Sequence, residues 1–94
     1  EAAREFSSAV RAALREALAY VEAHEVLEGE ALHTALHAMR AKHTIEPKEF
    51  FGALYTIFLG KNYGPKAGWF LAALNRTFLL SRLSEASEAP REAV

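Results

Sequence analysis

The stretch FFGALYTIFL-GKNYGPK-AGWFLAAL, residues 50–74, decides the fold of this chain. Residues 50–59 are apolar around almost the whole circumference of a helix, which predicts a helix buried at the centre of the domain. The following segment, residues 60–66, combines two glycines with a proline and predicts a tight turn. Pro65 suits the start of the next helix, because proline tolerates the first helical position.

Helical periodicity extends from this stretch to both sides. Apolar residues recur at three- and four-residue spacing near the N-terminus and again after a break at Gly29. Asn75 interrupts the pattern, and we expect it to take the left-handed conformation that often follows the end of a helix. The predicted helices are residues 2–25, 31–42, 47–59, 66–74 and 77–83.

This pattern predicts an all-α fold, a compact bundle of four to five helices. Residues 1–84 form a single domain in this interpretation, and residues 85–94, which lack periodicity, form a flexible C-terminal tail. We expect Trp69 to anchor the core, since its neighbours are apolar. Phe78 and Leu79 are expected to point inward as well.

Composition and charge narrow the function. The chain has 94 residues and no cysteine, so thiolate metal sites and disulfides are excluded. No apolar run approaches the roughly 20 residues that span a bilayer, and no signal segment opens the chain, so we expect no membrane contact and a cytoplasmic protein. Because the sequence starts at Glu1, we expect a fragment, a processed product or the ordered portion of a longer chain.

Charge is distributed unevenly along the chain. The formal net charge is −4 over residues 1–39 (three basic, seven acidic), +5 over residues 40–83 (seven basic, two acidic) and −2 over residues 84–94 (one basic, three acidic). A basic middle segment favours an anionic partner such as RNA, and the alternative is a charge gradient without function.

Within the basic segment, the turn at residues 60–66 contains several candidate RNA-binding residues. Lys61 and Lys66 flank the start of the fourth helix, where unpaired N–H groups favour phosphate, although a purely structural turn remains the alternative. Tyr63 is a candidate for stacking on an unpaired base, and Asn62 lies beside it. Basic residues elsewhere would converge on one face if the helices fold back: Arg40, Lys42, Lys48, Arg76 and Arg82.

Two histidines have the spacing of a helical metal pair. His33 and His37 are four residues apart and share one face of the second helix, but a third ligand is missing at a matching position. We therefore predict no metal site, and interpret them as a surface or interhelical pair that responds to pH near 6–7. The sequence also lacks a nucleophile with its base and a phosphate-binding glycine loop, so we predict no catalytic residue.

Residues 50–71 resemble the end of class I lysyl-tRNA synthetases. The family pattern is Phe-x-x-x-Tyr, then Leu-Gly-Lys, two variable residues and Gly-Pro followed by a basic residue, and the chain reproduces it from Phe51 to Lys66. The segment LNRTFLLSRL, residues 74–83, is similar to that family's closing helix, with Asn75 where the family commonly has glycine. Glutamyl-tRNA synthetases share a related turn and are the nearest competitor.

The resemblance implies the C-terminal, helical anticodon-binding domain of such an enzyme. The His-x-Gly-His and Lys-Met-Ser-Lys-Ser type motifs that activate the amino acid with ATP are missing from this chain, so the resemblance implies a non-catalytic module without a cofactor of its own. The resemblance implies lysine tRNA and the catalytic part of the synthetase as partners. It implies no binding to DNA. A helical protein–protein interaction or dimerisation domain derived from a synthetase is the alternative.

Overall fold

The computed structural model describes residues 6–61 and 63–88, which form five α-helices. Their bounds are α1 Ser8–Ala23, α2 Gly29–Lys42, α3 Pro47–Leu59, α4 Ala67–Ala72 and α5 Arg76–Ser87. No β-strand occurs within the described ranges, so the predicted all-α class is confirmed. None of these helices is long and apolar enough to cross a membrane.

Two helix pairs organise the bundle. Helix α1 packs chiefly on α5, α2 packs chiefly on α4, and α3 contacts α2, α4 and α5. Each element sends aliphatic or aromatic side chains into one shared core, where burial of apolar area supplies most of the driving force for folding. The largest fully buried side chains are Leu14, Leu32, Leu36, Phe50, Leu54, Leu71, Leu79 and Leu83.

The first helix is shorter than its predicted span of residues 2–25. It begins at Ser8 because the Ser7 side chain accepts a hydrogen bond from the backbone N–H of Val10 over 3.2 Å, which caps the helix. It ends at Ala23 because the backbone of His24 is extended, with φ at −119°. Residues 2–5 of the predicted helix lie outside the described residues.

The last helix corrects two predictions. Asn75 is not left-handed: its φ is −57°, and its side chain accepts a hydrogen bond from the backbone N–H of Phe78 over 3.1 Å, so it starts α5 instead of ending α4. The helix continues to Ser87, whose carbonyl accepts a hydrogen bond from Arg15 of α1 over 2.7 Å. Residues 85–87 are therefore helix and not tail, whereas residues 89–94 lie outside the described part of the chain.

Candidate nucleic-acid interface

The turn between α3 and α4 is held by its own backbone and by one tyrosine. Gly60 ends α3 in the left-handed region, with φ at 76°, and its N–H bonds to the carbonyls of Tyr55 and Thr56. The Tyr55 hydroxyl donates a hydrogen bond to the carbonyl of Pro65 over 2.5 Å. Burial raises the pKa of this phenol, so the hydroxyl keeps its proton for the bond.

The tip of this turn exposes two of the predicted RNA-binding residues. Tyr63 is 64 % exposed, and the ammonium group of Lys61 lies 5.1 Å from the centroid of its ring. Asn62, predicted between them, lies outside the described residues. The turn therefore presents one aromatic ring and one cation side by side, which suits an unpaired base with its phosphate.

Lys66 is at the other end of the turn and contacts another aromatic ring. Its ammonium group lies 5.1 Å from the centroid of the Trp69 ring. Trp69 is 45 % exposed, so the expectation that it anchors the core is wrong. The reason is steric: the ring lies against the backbone of Gly29, and a β-carbon on that glycine would be 2.6 Å from Cγ of the tryptophan. Because Gly29 has no side chain, α2 and α4 approach closely, and the indole ring lies on their outer surface.

Trp69 belongs to a group of four rings that we call the aromatic face. Its members are His33, His37, Phe51 and Trp69. The centroid of His33 lies 5.4 Å from that of Phe51 and 5.5 Å from that of Trp69. His37 lies 4.7 Å from Phe51. Residues from α2, α3 and α4 thus form one half-buried surface beside Lys66.

Both histidines of this face are oriented by hydrogen bonds. Nδ1 of His33 accepts from the backbone N–H of Gly68 over 3.1 Å, and Nδ1 of His37 accepts from Nε of Arg40 over 3.1 Å. Burial lowers the pKa of His33, and the electrostatic effects of His37 and Lys66 lower it further. The surroundings therefore favour the neutral imidazole at His33, which is the form that accepts the Gly68 bond.

Sequence reasoning found the pair of histidines but not the aromatic face. The signal available in the sequence was the combination of His33 and His37 with Gly29 and Gly68, since small residues permit close helix contact. Within residues 6–61 and 63–88 no group of three or more histidine, aspartate or glutamate side chains has an arrangement that would hold a metal ion.

Arg76 is bound to the chain itself. Its guanidinium donates to the carbonyl of Val21 over 2.6 Å, to that of His24 over 2.9 Å and to that of Glu25 over 3.2 Å. These carbonyls belong to the end of α1 and the residues after it, where helical backbone lacks partners. The arginine therefore ties the start of α5 to the end of α1, and its contact with RNA stays a prediction.

Arg82 also contacts its own fold. One guanidinium nitrogen donates to the carbonyl of Ile57 on α3 over 2.7 Å, and another lies 3.5 Å from the carboxylate of Glu85. The guanidinium carbon lies 6.0 Å from the ring centroid of Phe78, which is 44 % exposed, so the expectation that Phe78 points inward is wrong. Arg76 and Arg82 are thus directed to two different helices.

Two basic residues before the turn, Arg40 and Lys42, also have internal partners. The Lys42 ammonium lies 3.1 Å from the carboxylate of Glu16, whose second partner is His43 at 2.8 Å. The hydrogen bond from His43, followed by the bond from Lys42, lowers the pKa of Glu16. Arg40 bonds to His37 and to the carbonyl of Ile45. Lys61 and Lys66, in contrast, both lie on exposed aromatic rings.

Comparison with known proteins identifies the kind of domain. A model of the anticodon binding domain matches residues 1–87. The chain is 40 % identical over 74 residues to a lysine–tRNA ligase of Thermococcus kodakarensis, covering 79 % of the chain and 14 % of that protein. It is 37 % identical over 79 residues to a lysine–tRNA ligase of Pyrococcus horikoshii, covering 84 % of the chain and 15 % of that protein.

A third lysine–tRNA ligase is also similar to the chain. The lysine–tRNA ligase of Halobacterium salinarum is 40 % identical over 81 residues, covering 86 % of the chain and 15 % of that protein. The chain thus matches only about one seventh of the length of these relatives, and the resemblance to lysyl-tRNA synthetases is confirmed. By the match over residues 1–87, this chain belongs to the anticodon-binding domain family.

Proposed function

We propose that this chain binds the anticodon end of tRNA, with lysine tRNA as its natural partner, as the non-catalytic recognition module of a lysine–tRNA ligase. The observation that carries the proposal is the family match over residues 1–87, together with lysine–tRNA ligases as relatives. In this proposal the module needs no cofactor, and aminoacylation with ATP takes place on a catalytic part of the enzyme in the cytoplasm.

The exposed groups at the turn support this proposal physically. Lys61, Tyr63 and Lys66 come from the segment whose net charge is +5, and all three are exposed. Phosphate contacts by lysine supply affinity and position the RNA, while unpaired bases of a loop are available for stacking. Few such contacts exist in a domain with acidic flanks, so binding by the chain alone is expected to be weak and sensitive to salt.

The direct test measures binding of labelled lysine tRNA against the same tRNA with a changed anticodon, at low and moderate salt. We expect tighter binding to the correct anticodon. Lys61→Ala and Lys66→Ala should each weaken binding. Each should also lower the slope of log K against log salt by about 1, because one phosphate is no longer neutralised. The matched control is Lys42→Ala, which removes the same charge from a side chain that is paired with Glu16.

The outcome decides between recognition and simple charge attraction. If both tRNAs bind equally and Lys42→Ala weakens binding as much as Lys66→Ala, the chain attracts RNA only through its overall charge. Such a result would contradict the proposal that this module reads the anticodon end.

The competing function is a protein–protein interaction or dimerisation domain. The observation in its favour is the exposure of two large aromatic side chains, Trp69 and Phe78. Sedimentation of the purified chain over a range of concentrations tests it. A dimer that forms without RNA and dissociates on Phe78→Ala would favour this second function.

A further inference from the structure

Trp69 is the only tryptophan of the chain, and it is exposed where the surrounding helices are closely packed. It lies on α4 with 45 % of its surface accessible, although neighbouring Ala67, Gly68 and Leu71 are buried. A tryptophan at a surface keeps a large apolar area in water unless a partner covers it. Such exposed rings are common at recognition sites.

The ring of Trp69 is held in place before any partner arrives. A β-carbon on Gly29 would lie 2.6 Å from its Cγ and 2.7 Å from its Nε1, so the indole rests directly on the backbone of α2. His33 supports it from the side, and the bond from the N–H of Gly68 and the stacked ring of Phe51 fix His33 in turn. A ring fixed in this way loses little conformational entropy when a flat partner binds.

Two cationic side chains contact the aromatic face. The Lys66 ammonium lies 5.1 Å from the indole centroid, and the Arg40 guanidinium bonds to His37. The electrostatic effects of His37 and Lys66 both lower the pKa of His33. A surface made of rings and cations complements a partner that is flat, aromatic and attached to an anionic backbone.

We propose that Trp69 is a stacking platform for one unpaired nucleobase of the bound RNA, with Lys66 on the adjacent phosphate and His33 and Phe51 as its support. This inference rests on the proposed function and adds a second contact area to the Lys61–Tyr63 tip. The cation–π contact of Lys66 does not block the platform, because an exposed lysine moves easily and its contact is weaker than base stacking. The side chain then turns to the phosphate of the stacked nucleotide.

The test uses the single tryptophan as its own reporter. The probe is a labelled RNA hairpin with the anticodon stem and loop of lysine tRNA, and the comparison is a fully paired RNA duplex of the same length. We expect the hairpin to quench the tryptophan fluorescence at saturation, whereas the duplex binds through charge without quenching. Trp69→Ala should weaken hairpin binding by about 5- to 30-fold and leave duplex binding unchanged.

The control is Phe78→Ala, which removes an equally exposed ring from α5 and should leave hairpin binding unchanged. Trp69→Phe should restore most of the affinity, because phenylalanine still stacks. Thermal melts establish that each variant is folded at the temperature of the titration. Should Trp69→Ala fail to fold, quenching of the unmodified chain by the hairpin and its absence with the duplex still decide the question.

The results separate this inference from the proposed function. If the hairpin binds Trp69→Ala as tightly as the unmodified chain, while Lys61→Ala weakens binding, the platform is wrong and the anticodon proposal stands. If the unmodified chain does not prefer the hairpin to the duplex, both are wrong. A dimer that Trp69→Ala dissociates would assign the face to a second copy of the chain and would also overturn the platform.

Discussion

The backbone N–H of Gly68 donates a hydrogen bond to Nδ1 of His33 over 3.1 Å, and this bond joins α4 to α2. The two helices touch backbone to backbone at this point. A β-carbon on Gly68 would lie 2.5 Å from the carbonyl oxygen of Gly29 and 2.5 Å from the backbone nitrogen of His33. The position of the aromatic face therefore depends on the absence of one methyl group.

Replacing Gly68 by alanine should destabilise the domain. Alanine normally stabilises a helix by about 0.5–1 kcal/mol relative to glycine, but here the methyl group forces α2 and α4 apart, which costs about 1–3 kcal/mol. Urea unfolding followed by circular dichroism measures the difference. We expect Gly29→Ala to cost less, since the atoms nearest its methyl group belong to the side chain of the half-exposed Trp69 and not to the backbone of α4. A Gly68→Ala variant as stable as the unmodified chain would contradict the backbone contact.

The same hydrogen bond predicts how stability depends on pH. The folded-state pKa of His33 lies below its ordinary value of 6.5, so the unfolded chain binds the proton more readily. The contribution of His33 to stability is therefore complete above pH 6.5 and is lost as the pH falls through the folded pKa. The protonated ring has no lone pair on Nδ1 for the N–H of Gly68. Thermal melts at a series of pH values below 6.5 measure this loss.

His33→Asn is the matched variant for this pH dependence. The amide oxygen of asparagine takes the place of Nδ1 as an acceptor but does not titrate. The lowered pKa of Glu16 also makes the fold less stable in acid, but this loss of stability occurs below pH 4.5, the ordinary pKa of the carboxyl group. Between pH 6.5 and 4.5 the variant should therefore lose less stability than the unmodified chain. Parallel curves for the two proteins would exclude His33 as the responsible group.

The sequence predicts the helices well where a local signal exists. The apolar helix α3 and the turn at Gly60 have the predicted bounds, since periodicity, Pro47 and Gly60 act within a few residues. The end of α5 differs, because it depends on a hydrogen bond from Arg15 across the bundle. Local periodicity does not reveal such long-range partners, so the sequence predicts residues 85–87 as part of the flexible tail.

The candidate interface also depends on contacts between residues that are distant in sequence, which local periodicity does not reveal. Trp69 looks like a core residue because Phe70 and Leu71 follow it, and only the contact with Gly29, distant in sequence, puts it on the surface. Arg76 looks like a free cation in a basic segment, yet it bonds to the carbonyls after α1. Exposed lysines of the turn were easier to predict, since turns usually lie at the surface.

Thr44, in the connection after α2, offers a way to stabilise the domain. Its φ is 57°, the left-handed region that β-branched residues rarely adopt, and its side chain is exposed. Asparagine tolerates this conformation, so Thr44→Asn should raise the free energy of unfolding by roughly 1 kcal/mol. Urea unfolding measures the gain. Thr34→Asn is the control, because Thr34 is an exposed residue inside α2, where asparagine brings no such relief.

Arg76→Ala should destabilise the fold before it affects RNA. The change leaves the carbonyls of Val21, His24 and Glu25 without their guanidinium partner, and hydrogen bonds from a charged group contribute about 1.5–3 kcal/mol. Arg76→Lys should recover only part of the loss, since one ammonium group does not reproduce the planar fork that reaches several carbonyls. Thermal unfolding of the three proteins ranks them.

RNA binding by the same variants then separates the two roles of Arg76. Titrations below the melting temperature of all three proteins compare folded chains only. If the role of Arg76 is purely structural, the unmodified chain and the two variants should bind lysine tRNA with equal affinity, because the guanidinium is already engaged by backbone carbonyls. A weaker Arg76→Ala complex with an unchanged melting temperature would contradict the structural role and assign this arginine to a phosphate instead.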